Sequence, residues 1–77
     1  MIAIIDYGMG NICSLGNALG RLEAEWTLTS DPEVINSATH VILPGVGNAA
    51  EAMHNLRSRR LPEVIWRLRC PVLGICV

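Results

Sequence analysis

The amino-acid sequence predicts an α/β fold, a parallel sheet with helices on both faces. Three observations carry this. Short apolar runs (Ile2–Ile5, His40–Leu43 and Val72–Cys76) recur along the chain, as strands buried on both faces require. Between the first two, apolar residues return at helical spacing, at Ile12, Leu15, Leu19 and Leu22. Strand and helix signals then alternate with no repeat, linker or low-complexity tract, and that order calls for parallel strands joined by crossover helices.

Taken in order, Ile2–Ile5 is a strand stopped by Asp6-Tyr7-Gly8-Met9-Gly10-Asn11, a glycine-rich turn. The helix that follows carries Gly16 and Gly20, each costing about 1 kcal/mol against alanine, so close packing of helix on sheet is expected at both. Trp26 and Leu28 alternate with Glu25, Thr27 and Thr29, which predicts a second strand nearer an edge. Asp31-Pro32-Glu33 reads as an N-cap with proline at the first helical position, opening a short helix to about Ser37. His40–Leu43 is the third strand, ended by Pro44-Gly45-Val46-Gly47. Asn48 with Glu51 three residues on resembles a capping box, opening a helix through Ala52, Met53 and Leu56. Pro62 starts a further helical stretch carrying Val64, Ile65 and Leu68, closed by Pro71, and Val72–Cys76 is the fourth strand.

The chain has 77 residues, about half an ordinary domain, yet 51% are apolar and 17% charged. That is the composition of a core rather than of a disordered tail. So short a chain buries little more than about 60% of its unfolded surface, and it is expected to be part of something larger. A net charge of −1 gives no basic field for nucleic acid. No apolar run approaches the roughly 20 residues of a membrane span, and Met1–Asp6 lacks the basic start of a signal peptide. A cytoplasmic location is therefore expected, with Cys13, Cys70 and Cys76 as reduced thiols. With two histidines and no clustered acids, neither a metal site nor a cofactor is expected.

Chemistry in such sheets collects beyond the carboxyl ends of the strands, here Asp6–Asn11, Pro44–Gly47 and Cys76. Gly8-Met9-Gly10 with Asp31 imitates a dinucleotide-binding fingerprint, but the third glycine position is Cys13 and Asp31 is better used as a helix cap. Pro44-Gly45-Val46-Gly47 could turn backbone N–H groups toward a developing negative charge, or be an ordinary strand-to-helix turn. Gly74-Ile75-Cys76 has the first half of a nucleophile elbow, where a cysteine at a helix N-terminus becomes a thiolate; a lone cysteine is otherwise a small hydrophobe. Cys13 and Cys70 read as structural. Five of six arginines lie between Arg57 and Arg69, which is most simply a solvated face, though one able to meet a partner or an anion.

Four stretches, Ile4–Ile12, Ser30-Asp31-Pro32, Leu43–Gly47 and Pro71–Cys76, together resemble the N-terminal part of a class I glutamine amidotransferase with a flavodoxin-like sheet. Among these enzymes they are most similar to the glutaminase subunits of imidazole glycerol phosphate synthase, in histidine biosynthesis. The resemblance implies that residues 1–77 are the N-terminal portion of one amidotransferase domain, with no internal boundary. It implies Cys76 as the nucleophile toward L-glutamine. The backbone N–H groups of Val46, after a peptide flip, and of Val77 would form the oxyanion hole, with Gly45 and Gly47 freeing the turn. Gly8, Gly10 and Asn11 would form a loop near the partner, a (β/α)₈-barrel cyclase that receives the ammonia. In these subunits a His and a Glu complete the triad in a much longer chain. Neither His40 nor His54 matches them, so the 77-residue chain alone is expected to be inactive, thiol activation needing a positioned base. Leucine usually follows the nucleophile where this chain has Val77, a mild departure because only its N–H is used. The alternatives are a non-catalytic flavodoxin-like module binding an anion or a partner, and nucleotide binding through the Gly8–Asn11 turn. An unpaired edge at Val72–Cys76 would also favour association.

Overall fold

The structure, a computed structural model, describes residues 1–8, 10, 12–45 and 48–75. Its elements run β1 (Ile2–Ile5), α1 (Ile12–Arg21), β2 (Trp26–Thr29), α2 (Pro32–Ser37), β3 (His40–Pro44), α3 (Ala49–Ser58), α4 (Leu61–Trp66) and β4 (Val72–Ile75). The strands form one parallel sheet in the order β2-β1-β3-β4. Ile2 pairs with both Trp26 and His40, and Val41 pairs with Val72, so all four carboxyl ends share one edge of the sheet. Among the described residues no helix is long and apolar enough to cross a membrane.

Alternation along the central strands divides the core in two. Ala3, Ile5 and Val41 face one side, where Ile35 of α2, Leu56 of α3 and Leu61 of α4 complete a buried cluster. Ile4 and Ile42 face the other side, where α1 lays Leu19 over them with Ile12 and Leu15 at its margin. The central runs are apolar at successive positions because both faces are covered there. At the edges cover is thinner. Trp26 and Leu28 of β2 stay more than a third exposed, and Val72 and Leu73 of β4 do likewise. The second strand is thus the edge strand its mixed pattern predicts, while its two large apolar residues remain half in solvent.

The expected caps are present. Asp31 Oδ1 accepts from the Glu33 N–H at 2.9 Å, with Pro32 beside it in the first turn, and Asn48 Oδ1 accepts from the Glu51 N–H at 3.0 Å. The capping role of Asp31 leaves the dinucleotide reading without its acid. Two boundaries differ from expectation. β3 extends through Pro44, and α4 ends at Trp66, leaving Leu68 beyond the helix. Arg67 then caps α4, its N–H donating to the Glu63 carbonyl, and Leu68 packs on the core from the connection to β4. Cys76, read as the last residue of the fourth strand, lies outside the described residues.

The two helical glycines part company. A Cβ on Gly16 would stand 2.6 Å from Cζ2 of Trp26, which accounts for the missing side chain. A Cβ on Gly20 would meet nothing within 4 Å, so the packing expected there is absent. Instead α1 closes in a Schellman arrangement, with the Ala24 N–H donating to Leu19 O and the Glu23 N–H to Gly20 O, both at 3.0 Å. The left-handed residue of that turn is Glu23, at φ 56°, where glycine is the usual choice. Gly20→Ala and Glu23→Gly are each expected to raise stability by about 0.5–1 kcal/mol. Urea unfolding checks this, and a fall in midpoint for either variant contradicts the account of this turn.

Candidate active site

Parallel register delivers three chain segments to one edge. β1 releases the Asp6–Gly10 turn, β3 releases Gly45, and β4 reaches Ile75, the residue before Cys76. Pro44 and Ile75 are register partners, so the approach to Cys76 runs beside the start of the proline-glycine turn. Tyr7, Pro44, Gly45, Ala52, Gly74 and Ile75 border an open groove of about 340 Å³ here.

The β1 and β3 turns touch. Tyr7 continues the parity of Ala3 and Ile5 beyond the end of β1 and is 1% exposed within the same cluster. Its hydroxyl donates to the carbonyl of Pro44. Gly10 adopts φ +103°, and a Cβ there would lie 2.6 Å from the Pro44 Cβ. Only glycine meets both conditions, the left-handed backbone and the approach to the proline ring. Gly10→Ala is expected to cost about 2 kcal/mol or more, combining backbone strain with overpacking. Denaturant titration checks this, and a loss under about 0.5 kcal/mol would show that the turn adapts freely.

Gly8, at φ +80°, has Arg59 above it, with Nη2 3.1 Å from where a Cβ would stand. The Arg59 guanidinium is held by its own helix, Nη1 donating to Asn55 O at 3.2 Å. Of the arginines grouped as a solvated face, this one bends over the β1 turn. Arg67 pairs with Glu63 at 2.7 Å in solvent, a contact contributing under about 1 kcal/mol.

Of the residues singled out in the sequence, Gly8, Gly10, Gly45 and Gly74 come together at this edge. Asn11, Val46, Gly47, Cys76 and Val77 lie outside the described residues. His40 opens β3 at the opposite edge and is exposed, and His54 is exposed on α3. Cys70 precedes β4 at the far edge too, and Cys13 is exposed on α1. Tyr7 enters the sequence reading only as part of the glycine-rich turn, and Arg59 only as one of the clustered arginines, neither with a role of its own. Tyr7 could have been found from its parity with Ala3 and Ile5; Arg59 leaves no such signal.

A parallel α/β sheet with glycine turns gathered at its carboxyl edge defines a protein whose site is built from strand-end loops. No protein-family model matches the chain. Curated proteins do match it from end to end. It is 52% identical over 80 residues to imidazole glycerol phosphate synthase subunit HisH of Dehalococcoides mccartyi (strain CBDB1), covering 100% of this chain and 39% of that protein. The subunit of Bacteroides thetaiotaomicron is 46% identical over 76 residues, covering 99% and 39%. Subunit HisH 2 of Methanococcus maripaludis is 43% identical over 81 residues, covering 100% and 40%. The resemblance carried by the four motifs therefore holds across the whole chain, which spans about two fifths of the length of these relatives.

Proposed function

We propose that residues 1–77 are the nucleophile-bearing portion of a single glutamine amidotransferase domain, the glutaminase subunit of imidazole glycerol phosphate synthase. The supporting observation is identity of 43–52% to HisH subunits along the whole chain, on a fold that gathers Gly8, Gly10, Gly45 and Ile75 at one edge. In this reading the Cys76 thiolate attacks the side-chain amide carbon of L-glutamine. The carbonyl π electrons move onto oxygen, where the N–H groups of Val46 and Val77 stabilise the charge. Collapse breaks the C–N bond, and ammonia leaves with a proton from a general acid. Water then cleaves the γ-glutamyl thioester to glutamate and restores the thiol. Gly8, Gly10 and Asn11 face the partner, a (β/α)₈-barrel cyclase that consumes the ammonia. The reaction requires no cofactor, metal, nucleic acid or membrane, and takes place in the cytoplasm.

A chimera tests this. Residues 1–77 replace the matching stretch of the D. mccartyi subunit, and the product is assayed with that organism's partner subunit. Glutamine-dependent product formation above that of the partner subunit alone is expected. A folded, assembled chimera that works with ammonium salts but not with glutamine would overturn the proposal.

A further inference from the structure

The contact between Tyr7 and Pro44 does more than fill the core. Proline has no N–H, so its carbonyl is the only backbone hydrogen-bonding group that Pro44 possesses. That carbonyl accepts from the Tyr7 hydroxyl, and the Tyr7 ring is 1% exposed among Ile5, Val41, Leu56 and Leu61. The ring therefore cannot follow the turn if the turn moves. In a planar trans peptide the C=O and N–H point in opposite directions. Holding the Pro44 carbonyl toward Tyr7 thus also fixes the Gly45 N–H on the opposite side. On the far flank the Gly10 Cα leaves no room beside the Pro44 ring, a second restraint on the same residue.

We infer that Tyr7 is a positioning residue, whose hydroxyl locks the Pro44–Gly45 peptide and so fixes the point from which the turn leaves β3. This rests on the reading of Pro44–Gly47 as the oxyanion turn. Presenting the Val46 N–H to an oxyanion requires the Gly45–Val46 peptide to turn over. Without a fixed pivot, that rotation would pass back into β3, where Leu43 and Pro44 pair with Gly74 and Ile75. Tyr7 supplies the pivot from the turn that follows β1, a segment 37 positions away in the chain. With that peptide held, the ladder of Leu43 and Pro44 with Gly74 and Ile75 keeps its register.

Amide hydrogen exchange by NMR on the chain tests this. In Tyr7→Phe the Gly45 amide is expected to exchange about 10-fold faster, the loss of one hydrogen bond, while Ile4, Val41 and Ile42 keep their protection. Incorporating 4-aminophenylalanine at position 7, which restores a donor on the same ring, should return the Gly45 rate to that of the parent. An unchanged Gly45 rate, or an equal rise throughout β1 and β3, overturns the inference, the latter because it marks a merely structural role. Should Tyr7→Phe fail to fold, the parent chain decides. A slowly exchanging Tyr7 hydroxyl proton coupled to the ¹³C carbonyl of Pro44 upholds the lock, and a hydroxyl exchanging at the solvent-limited rate overturns it. None of these readouts involves glutamine or Cys76, so failure here is distinct from failure of the amidotransferase reading.

Discussion

In the chimera, replacing Cys76 by alanine should lower glutamine-dependent turnover by three orders of magnitude or more, while ammonia-dependent turnover is unchanged. The size of the effect follows from the proposed covalent mechanism, in which loss of the thiol prevents the thioester from forming and leaves water to attack an unactivated amide. The other cysteines cannot substitute. Cys70 precedes β4, at the end of that strand away from Gly45 and Ile75. Cys70→Ala is accordingly expected to retain glutamine-dependent activity. Co-purification of the Cys76→Ala chimera with the partner subunit separates a lost nucleophile from a lost fold. Glutamine-dependent turnover within 10-fold of the parent would remove Cys76 from the mechanism.

Leu61→Ala should cost about 2–5 kcal/mol, the range for emptying a fully buried leucine site. Leu61 is completely buried and begins α4 directly after Arg60, which adopts a left-handed backbone at φ 57°. It joins the α3–α4 corner to the cluster of Ile5, Tyr7, Ile35 and Val41. A chain of 77 residues holds a total stability of about 4–12 kcal/mol, so the substitution removes a large share of it. Urea titration should show a lower midpoint with an unchanged slope. A loss below about 1 kcal/mol would mean that α4 settles into the space left behind.

Much of this architecture is legible because its signals are local. Asp31-Pro32 and Asn48 with Glu51 announce helix starts through hydrogen bonds spanning two or three residues, and both form. The apolar runs at Ile2–Ile5 and His40–Leu43 reveal strands covered on both faces because alternation is absent there. Non-local choices are less visible. Gly16 and Gly20 look alike in the sequence, yet only Gly16 lies against a ring, and that ring belongs to Trp26 of β2. Leu68 fits the helical spacing of Val64 and Ile65 but reaches the core from beyond the end of α4. At the site, the glycine turns stand out because the glycines come in close pairs directly after apolar strand runs. Tyr7 is hidden by its position inside such a turn, since its partner is a backbone carbonyl 37 positions away that no residue type identifies.

The strand order β2-β1-β3-β4 also governs when the sheet can form. β1 is made first but lies in the middle, and it must await partners on both sides. The hydrogen bonds between Met1 and Thr39 that flank its pairing with β3 close over 38 positions. At about 5–20 residues per second, synthesis leaves β1 without its inner neighbour for about 2–8 s, long compared with helix formation or chain collapse. During that interval Ile2–Ile5 is an apolar segment with unpaired backbone on at least one side. Demand for chaperones should accordingly be highest between the emergence of Ile2–Ile5 and that of His40–Pro44 from the ribosome.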